Sequence, residues 1–206
     1  MEYFQVVINL YFITLEVDLN WWKALSLQWK RAFSETFFRH DNEPAPGELA
    51  LLFASPALRF AGPRASFPNL SFELTDLSGI KPLKNLEILV VINHQIKTIG
   101  EVKNLTRLKS LFLYNNTINS LQGIEDLTLL EQLYVQWNPV KGIQPVQKLT
   151  NLKELYVHNT CLASLEGLTE QHSDKLEGLF CKPNDLLKQK EILRVERDLF
   201  IRCRAI

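Results

Sequence analysis

The chain has no surplus of either charge and very little cysteine. Its 206 residues carry 23 basic and 23 acidic side chains, a net charge of zero. A nucleic-acid footprint needs a basic stripe, and nothing in this balance supplies one. The three cysteines, Cys161, Cys181 and Cys203, are an odd number without framework spacing. That argues against a disulfide scaffold and for reduced thiols in a cytoplasmic protein, with export or cell-surface display as the alternative. Chemistry-bearing motifs are missing as well: there is no phosphate-binding glycine loop, no H-E-x-x-H, no C-x-x-C and no G-x-S-x-G. No cofactor, metal or catalytic residue is expected, and the chain reads as a non-enzyme. His172, Ser173 and Asp174 are consecutive, but sequence neighbours cannot form a triad among themselves, so a solvated turn is expected there.

Long hydrophobic runs are also lacking. Tyr3–Leu15 is strongly apolar, yet it is too short to span a membrane as a helix and lacks the basic start and small-residue cleavage site of a secretory signal. Ile13, Leu15, Val17 and Leu19 alternate with Thr14, Glu16 and Asp18, the period of a strand. Residues 3–19 are therefore expected to form one or two strands, packed on a cap or on a second subunit.

What is present is a period. Leu86, Leu108, Leu130 and Leu152 recur every 22 residues. Each opens an L-x-x-L-x-L-x-x-N segment or a close variant: LEILVVINH, LKSLFLYNN, LEQLYVQWN and LKELYVHNT. A fifth copy, LEGLFCKPN from Leu176, arrives two residues late through a loop at Thr169–Lys175. The L-x-L core alternates like a strand. Beyond it, Ile96, Ile99, Val102, Leu105, Leu108 and Leu111 recur every third residue, the spacing of a 3₁₀ turn. Asn116, Asn138 and Asn184 fall where the chain leaves the strand, and their amides are expected to satisfy buried backbone groups. His94 and Thr160 stand at the equivalent positions and are expected to alter the turn slightly.

This pattern resembles the leucine-rich repeat, in the 22-residue class found in bacterial internalins and in a regulatory subunit of a protein phosphatase. The resemblance covers Leu74–Asn184. It implies an α/β solenoid, a right-handed superhelix with a parallel β-sheet on the concave face, 3₁₀-type turns on the convex face and helical caps. Such stacks leave an apolar face at each end. Residues 20–73 are read as a helical N-cap with a degenerate first coil. In it Asn20 caps a helix whose Trp22, Leu25, Trp29, Phe33 and Phe37 face the first coil. A second helix is placed at about 48–53, a degenerate strand at Leu58-Arg59-Phe60 and an irregular insertion at Ala61–Ser71. Residues 74–184 hold the repeats. Residues 185–206 are read as a C-terminal capping helix, starting near Asn184 or Asp185, that blocks the open edge of the sheet.

Strand residues between the core leucines point to the concave face. One column reads Val90, Phe112, Tyr134, Tyr156 and Phe180, and strand spacing makes its aromatics a contiguous ladder. With Tyr114 and Trp137 it is expected to expose on the order of 500 Å², rimmed by Lys109, Glu131, Lys153 and Glu154. His158 is placed on this face as a polar contact with weak pH sensitivity. Phe112, Tyr114, Tyr134, Trp137, Tyr156, His158 and Phe180 are thus the candidate contacts for a protein or peptide partner. Alternatives are a self-assembling subunit, a homo-oligomer formed through residues 3–19 or the concave face, or, from the resemblance alone, a regulatory subunit of an enzyme.

Overall fold

The computed structural model describes residues 19–206. The expected strands at residues 3–18 lie outside the described residues. Leu19, the last residue of that alternation, is helical, and so is Asn20, which therefore does not cap a helix.

Among the described residues seven parallel strands form one sheet in chain order: β1 (Ala57–Ala61), β2 (Ile88–Ile92), β3 (Ser110–Phe112), β4 (Gln132–Tyr134), β5 (Glu154–Tyr156), β6 (Gly178–Lys182) and β7 (Cys203–Ala205). From β2 to β5 the register follows the 22-residue period, with Leu89, Leu111, Leu133 and Leu155 aligned, and Leu179 joins the row after a coil two residues longer. The return path of each coil is built from the three-residue spacing. The N–H of Leu127 reaches the Ile124 carbonyl at 2.9 Å, and that of Leu130 reaches Leu127 at 2.9 Å. In the previous coil Leu105 bonds Val102 at 2.8 Å and Leu108 bonds Leu105 at 3.0 Å. Apolar residues spaced by three thus share one side of a 3₁₀ path, and all of these are fully buried.

The asparagines do the work expected of them. Asn138 donates to the Leu113 and Val135 carbonyls (2.9 and 3.1 Å) and accepts from the Ile118 N–H (2.9 Å). Asn116 and Asn184 repeat this one and two coils away. His94 keeps half of the function: Nδ1 accepts from the Leu74 N–H at 3.1 Å, while Nε2 is buried without a hydrogen-bond partner. Thr160 donates to the Val157 carbonyl at 2.9 Å. His172 departs from expectation. It is fully buried, not part of a solvated turn, because Nδ1 accepts from the Thr169 N–H (3.1 Å) and Nε2 lies 3.2 Å from the Val146 carbonyl. The longer loop folds over this ring.

At the N-terminal end, residues 19–24 are helical and α1 (Leu27–Phe33) follows after a break at residues 25–26. A π-helical turn continues over Ser34–Phe38, so the expected single helix is broken and widened. The aromatic residues bury against the first coil as expected. Trp29 packs edge-on to Phe60 (5.1 Å between centroids) and donates its indole N–H to Asp76 at 3.0 Å. Helix α2 (Pro46–Ala54) precedes β1. Trp29 fits because Gly79 lacks a side chain: a Cβ there would lie 2.1 Å from the indole ring. Gly79→Ala should therefore cost about 1–3 kcal/mol through overpacking, read as a lower urea midpoint with an unchanged slope.

The C-terminal segment differs from expectation. Asn184 is the repeat asparagine, and the helix starts later, as α3 (Gln189–Asp198), with Ile192 and Val195 buried. Glu191 ties it to the preceding coil through Ser164 at 3.2 Å. The chain then adds β7 beside β6, so a strand and not the helix follows the last repeat in the sheet. No helix of the described residues is long and apolar enough to cross a membrane.

Candidate functional site

The register places one residue of each strand in a single column across the concave face: Arg59, Val90, Phe112, Tyr134, Tyr156, Phe180 and Arg204. Its centre is a stack. Phe112 meets Tyr134 edge-on at 4.7 Å between centroids, Tyr134 stacks on Tyr156 at 4.1 Å, and Tyr156 stacks on Phe180 at 4.2 Å. Consequently the rings cover each other's faces. All four are half-buried, and what reaches solvent is a row of edges and hydroxyls, a smaller apolar area than the sequence suggests. Both ends of the column are cationic. The Arg204 guanidinium lies 5.7 Å over the outer face of Phe180, and Arg59 holds the β1 position. Neither end is evident from the repeat pattern: Arg204 sits on a strand without L-x-L spacing, and Arg59 sits in the degenerate first coil.

Beside the stack runs a polar relay. Ser110 donates to Gln132 at 2.7 Å, Gln132 donates to Glu154 at 3.0 Å, and the Tyr134 hydroxyl donates to the same Glu154 oxygen. Burial, and then the Glu154 carboxylate, push the Tyr134 hydroxyl pKa up, so it stays a donor at any physiological pH. Glu154 has no cationic partner among the described residues. The other expected rim charges are already paired: Lys109 with Glu87 at 2.8 Å and Lys153 with Glu131 at 2.7 Å. They form a border of salt bridges, in which Glu87 also meets Arg107 at 3.3 Å.

The structure separates the remaining candidates. Tyr114 is half-buried. His158 is only 4% exposed, beneath Trp137 (6.3 Å) and Tyr156 (6.2 Å), and is not the open contact expected. Burial lowers its pKa, opposed by the Phe180 carbonyl, so the ring is neutral near pH 7. Trp137, in contrast, is 55% exposed. Its backbone is left-handed, φ 60°, at a position where the neighbouring coils place Asn93 (59°), Asn115 (56°) and Asn159 (51°). Asparagine tolerates this conformation; a bulky side chain rarely adopts it.

No protein-family model matches the chain, and no curated protein matches it in sequence. Solved structures do resemble it. An internalin from Listeria monocytogenes aligns with a TM-score of 0.56 and 28% identity, over 65% of this chain and 37% of that one. A leucine-rich-repeat protein of Leptospira interrogans aligns with a TM-score of 0.60 and 24% identity, over 79% and 40%. The leucine-rich-repeat ectodomain of an Arabidopsis thaliana membrane receptor kinase, solved in complex with Casparian strip integrity factor 2, aligns with a TM-score of 0.50 and 19% identity, over 68% and 17%. The chain spans less than half the length of each. A parallel sheet whose β2–β5 keep a 22-residue register, 3₁₀ returns and an asparagine ladder, together with these likenesses, identify the fold: the chain is a leucine-rich-repeat solenoid.

Proposed function

We propose that the protein is a non-enzymatic interaction module that receives a protein or peptide on its concave aromatic face. The observation that carries this reading is Trp137. A large apolar side chain stands in solvent, on a left-handed backbone, where the two preceding coils and the following one use asparagine. Local strain of this kind is a cost to the scaffold, and it is characteristic of binding sites. The aromatic stack beside it offers tyrosine hydroxyls and ring edges, and tyrosine and tryptophan are enriched among residues that dominate interfaces. Trp137, Tyr134, Tyr156, Phe112 and Phe180 are the proposed contacts; Tyr114 borders them, and His158 supports Trp137 from below. Cytoplasmic residence is proposed with it, on the three unpaired cysteines.

Capture of partners from a native lysate tests the reading. Tyr134→Ser/Tyr156→Ser is the informative bait, since a glutamate at 134 would add a second carboxylate against Glu154. Loss of a partner that the unaltered protein retains supports the proposal; the same partners on both baits overturn it. A separate expectation concerns stability. Trp137→Asn recreates the Asn-Asn pair of Asn115-Asn116 and relieves the left-handed strain, so it should raise stability by about 1 kcal/mol. That corresponds to roughly 2–4 °C in a thermal melt.

A further inference from the structure

The insertion that follows β1 builds a cleft for which the aromatic stack does not account. Asn69 closes the edge of β1: its Oδ1 accepts from the Ala61 N–H and its Nδ2 donates to the Arg59 carbonyl, both at 2.7 Å. At the other foot, the Gly62 N–H reaches the Ile92 carbonyl at 2.9 Å. A Cβ on Gly62 would lie 2.0 Å from the Asn93 carbonyl oxygen, so only glycine allows this approach. In mid-loop the Arg59 guanidinium donates to the Phe67 carbonyl. The insertion is therefore pinned at three points, and the space beneath it is preformed.

That space is a cavity of about 170 Å³ between the insertion and the ends of β2 and β3. Phe67 (81% exposed), Ile92 and Tyr114 give it apolar walls. Arg59, Arg64, Asn93 and Asn115 give it polar ones, and none of its lining residues is acidic. Arg64 is neutralised by Glu73 at 2.8 Å. Arg59 has no carboxylate partner among the described residues, and most of its five N–H donors are unused. The Asn115 amide donates to Asn93 Oδ1 at 3.2 Å, leaving the Asn93 amide N–H groups as further donors. A second cavity, about 410 Å³, shares Arg64, Asn93 and Asn115 and runs on to Trp137.

We infer that this cleft binds a carboxylate together with the apolar side chain next to it, presented by a peptide segment. One uncompensated guanidinium matches one carboxylate, and its fork suits two-point contact with carboxylate oxygens. The apolar walls take the neighbouring side chain. The inference rests on the proposed reception of a protein or peptide at the concave face and names the chemistry that anchors one end of it. The carboxylate has two possible sources, a chain terminus or an aspartate or glutamate side chain.

Titrations of the full chain followed by amide and Arg Nε NMR test this with three probes: N-acetyl-phenylalanine, N-acetyl-phenylalanine amide and N-acetyl-phenylalanyl-aspartic acid α-amide, whose only carboxylate is the aspartate side chain. Shifts at Asn93, Asn115 and Arg59 Nε are expected with a carboxylate probe, with at least tenfold weaker binding of the neutral amide. A response to the first probe assigns a terminal carboxylate; a response to the third assigns a side-chain one. Arg59→Gln should remove the preference for the acid, and Arg59→Lys, which keeps the charge, should retain part of it. Equal binding of acid and amide, or a preference that survives Arg59→Gln, overturns the inference. Because these probes report on the cleft alone, such a failure is distinct from failure of the Tyr134/Tyr156 capture experiment.

Discussion

Replacing Asn138 by leucine is expected to lower stability by about 3–5 kcal/mol, as much as truncating a buried core leucine. The size follows from the number of buried groups that one amide satisfies. Asn138 serves the Leu113 and Val135 carbonyls and the Ile118 N–H, belonging to two coils. Removing it strands the Val135 carbonyl and the Ile118 N–H away from water, each at about 1–3 kcal/mol before relaxation, and takes from the Leu113 carbonyl one of its two donors, the other being Asn116 Nδ2 at 2.9 Å. Thr160 provides the internal comparison. It holds the same position with a hydroxyl 2.9 Å from the Val157 carbonyl and 3.0 Å from Asn184 Oδ1, and the Val157 carbonyl keeps a second donor in Asn184 Nδ2 at 2.8 Å. Thr160→Val should accordingly cost only about 1 kcal/mol. Urea titrations of both variants at pH 7 check the contrast; equal losses would show that the asparagine ladder does not bind coil to coil.

Acidification should destabilise the fold through His94, the residue that replaces asparagine one coil earlier. His94 is 1% exposed. Burial drives its pKa down from 6.5 to about 4; the Phe60 carbonyl opposes this without reaching hydrogen-bond geometry. The native ring is therefore neutral where the unfolded ring takes up a proton. Its contribution is present in full above pH 6.5 and is lost as pH falls toward 4, amounting to about 3 kcal/mol. His158, lowered in the same direction by burial, adds to the loss. His94→Asn restores the repeat residue and should flatten most of the slope between pH 6.5 and 4.5. Glu35 and Asp76 are both held below their ordinary carboxylate values despite burial, by hydrogen bonds, and contribute acid sensitivity only at lower pH. Urea midpoints at pH 7, 5.5 and 4.5 measure the slope. An unchanged slope in His94→Asn would mean that the ring is not protonated on unfolding in this window.

The same turn position shows what the sequence reveals and what it conceals. Leucines at 22-residue spacing identify the coil because every one of them faces a continuous core, and a core residue has no alternative neighbour. The asparagines are equally legible, since a buried amide at a strand exit has one structural purpose. Arg204 was hidden because β7 has Cys203 and Ile201 buried in place of the leucine pattern. His158 and His172 read as surface polar residues; Trp137 over His158 and the Val146 carbonyl at His172 belong to the preceding coil, beyond the reach of a local pattern. The concave column was legible as aromatic, but its stacking, which hides ring faces, depends on side-chain rotation that register alone does not specify. The left-handed backbone at Trp137 could have been read from the asparagines 22 residues on either side of it, Asn115 and Asn159.

That residue also provides the most direct test of the concave face as a binding surface. Trp137→Asn and the unaltered protein should be melted and then used side by side as baits in a native lysate, with the bound proteins identified by mass spectrometry. The account predicts a variant that melts roughly 2–4 °C higher and loses a partner that the unaltered protein retains. A more stable variant that captures the same partners would contradict it.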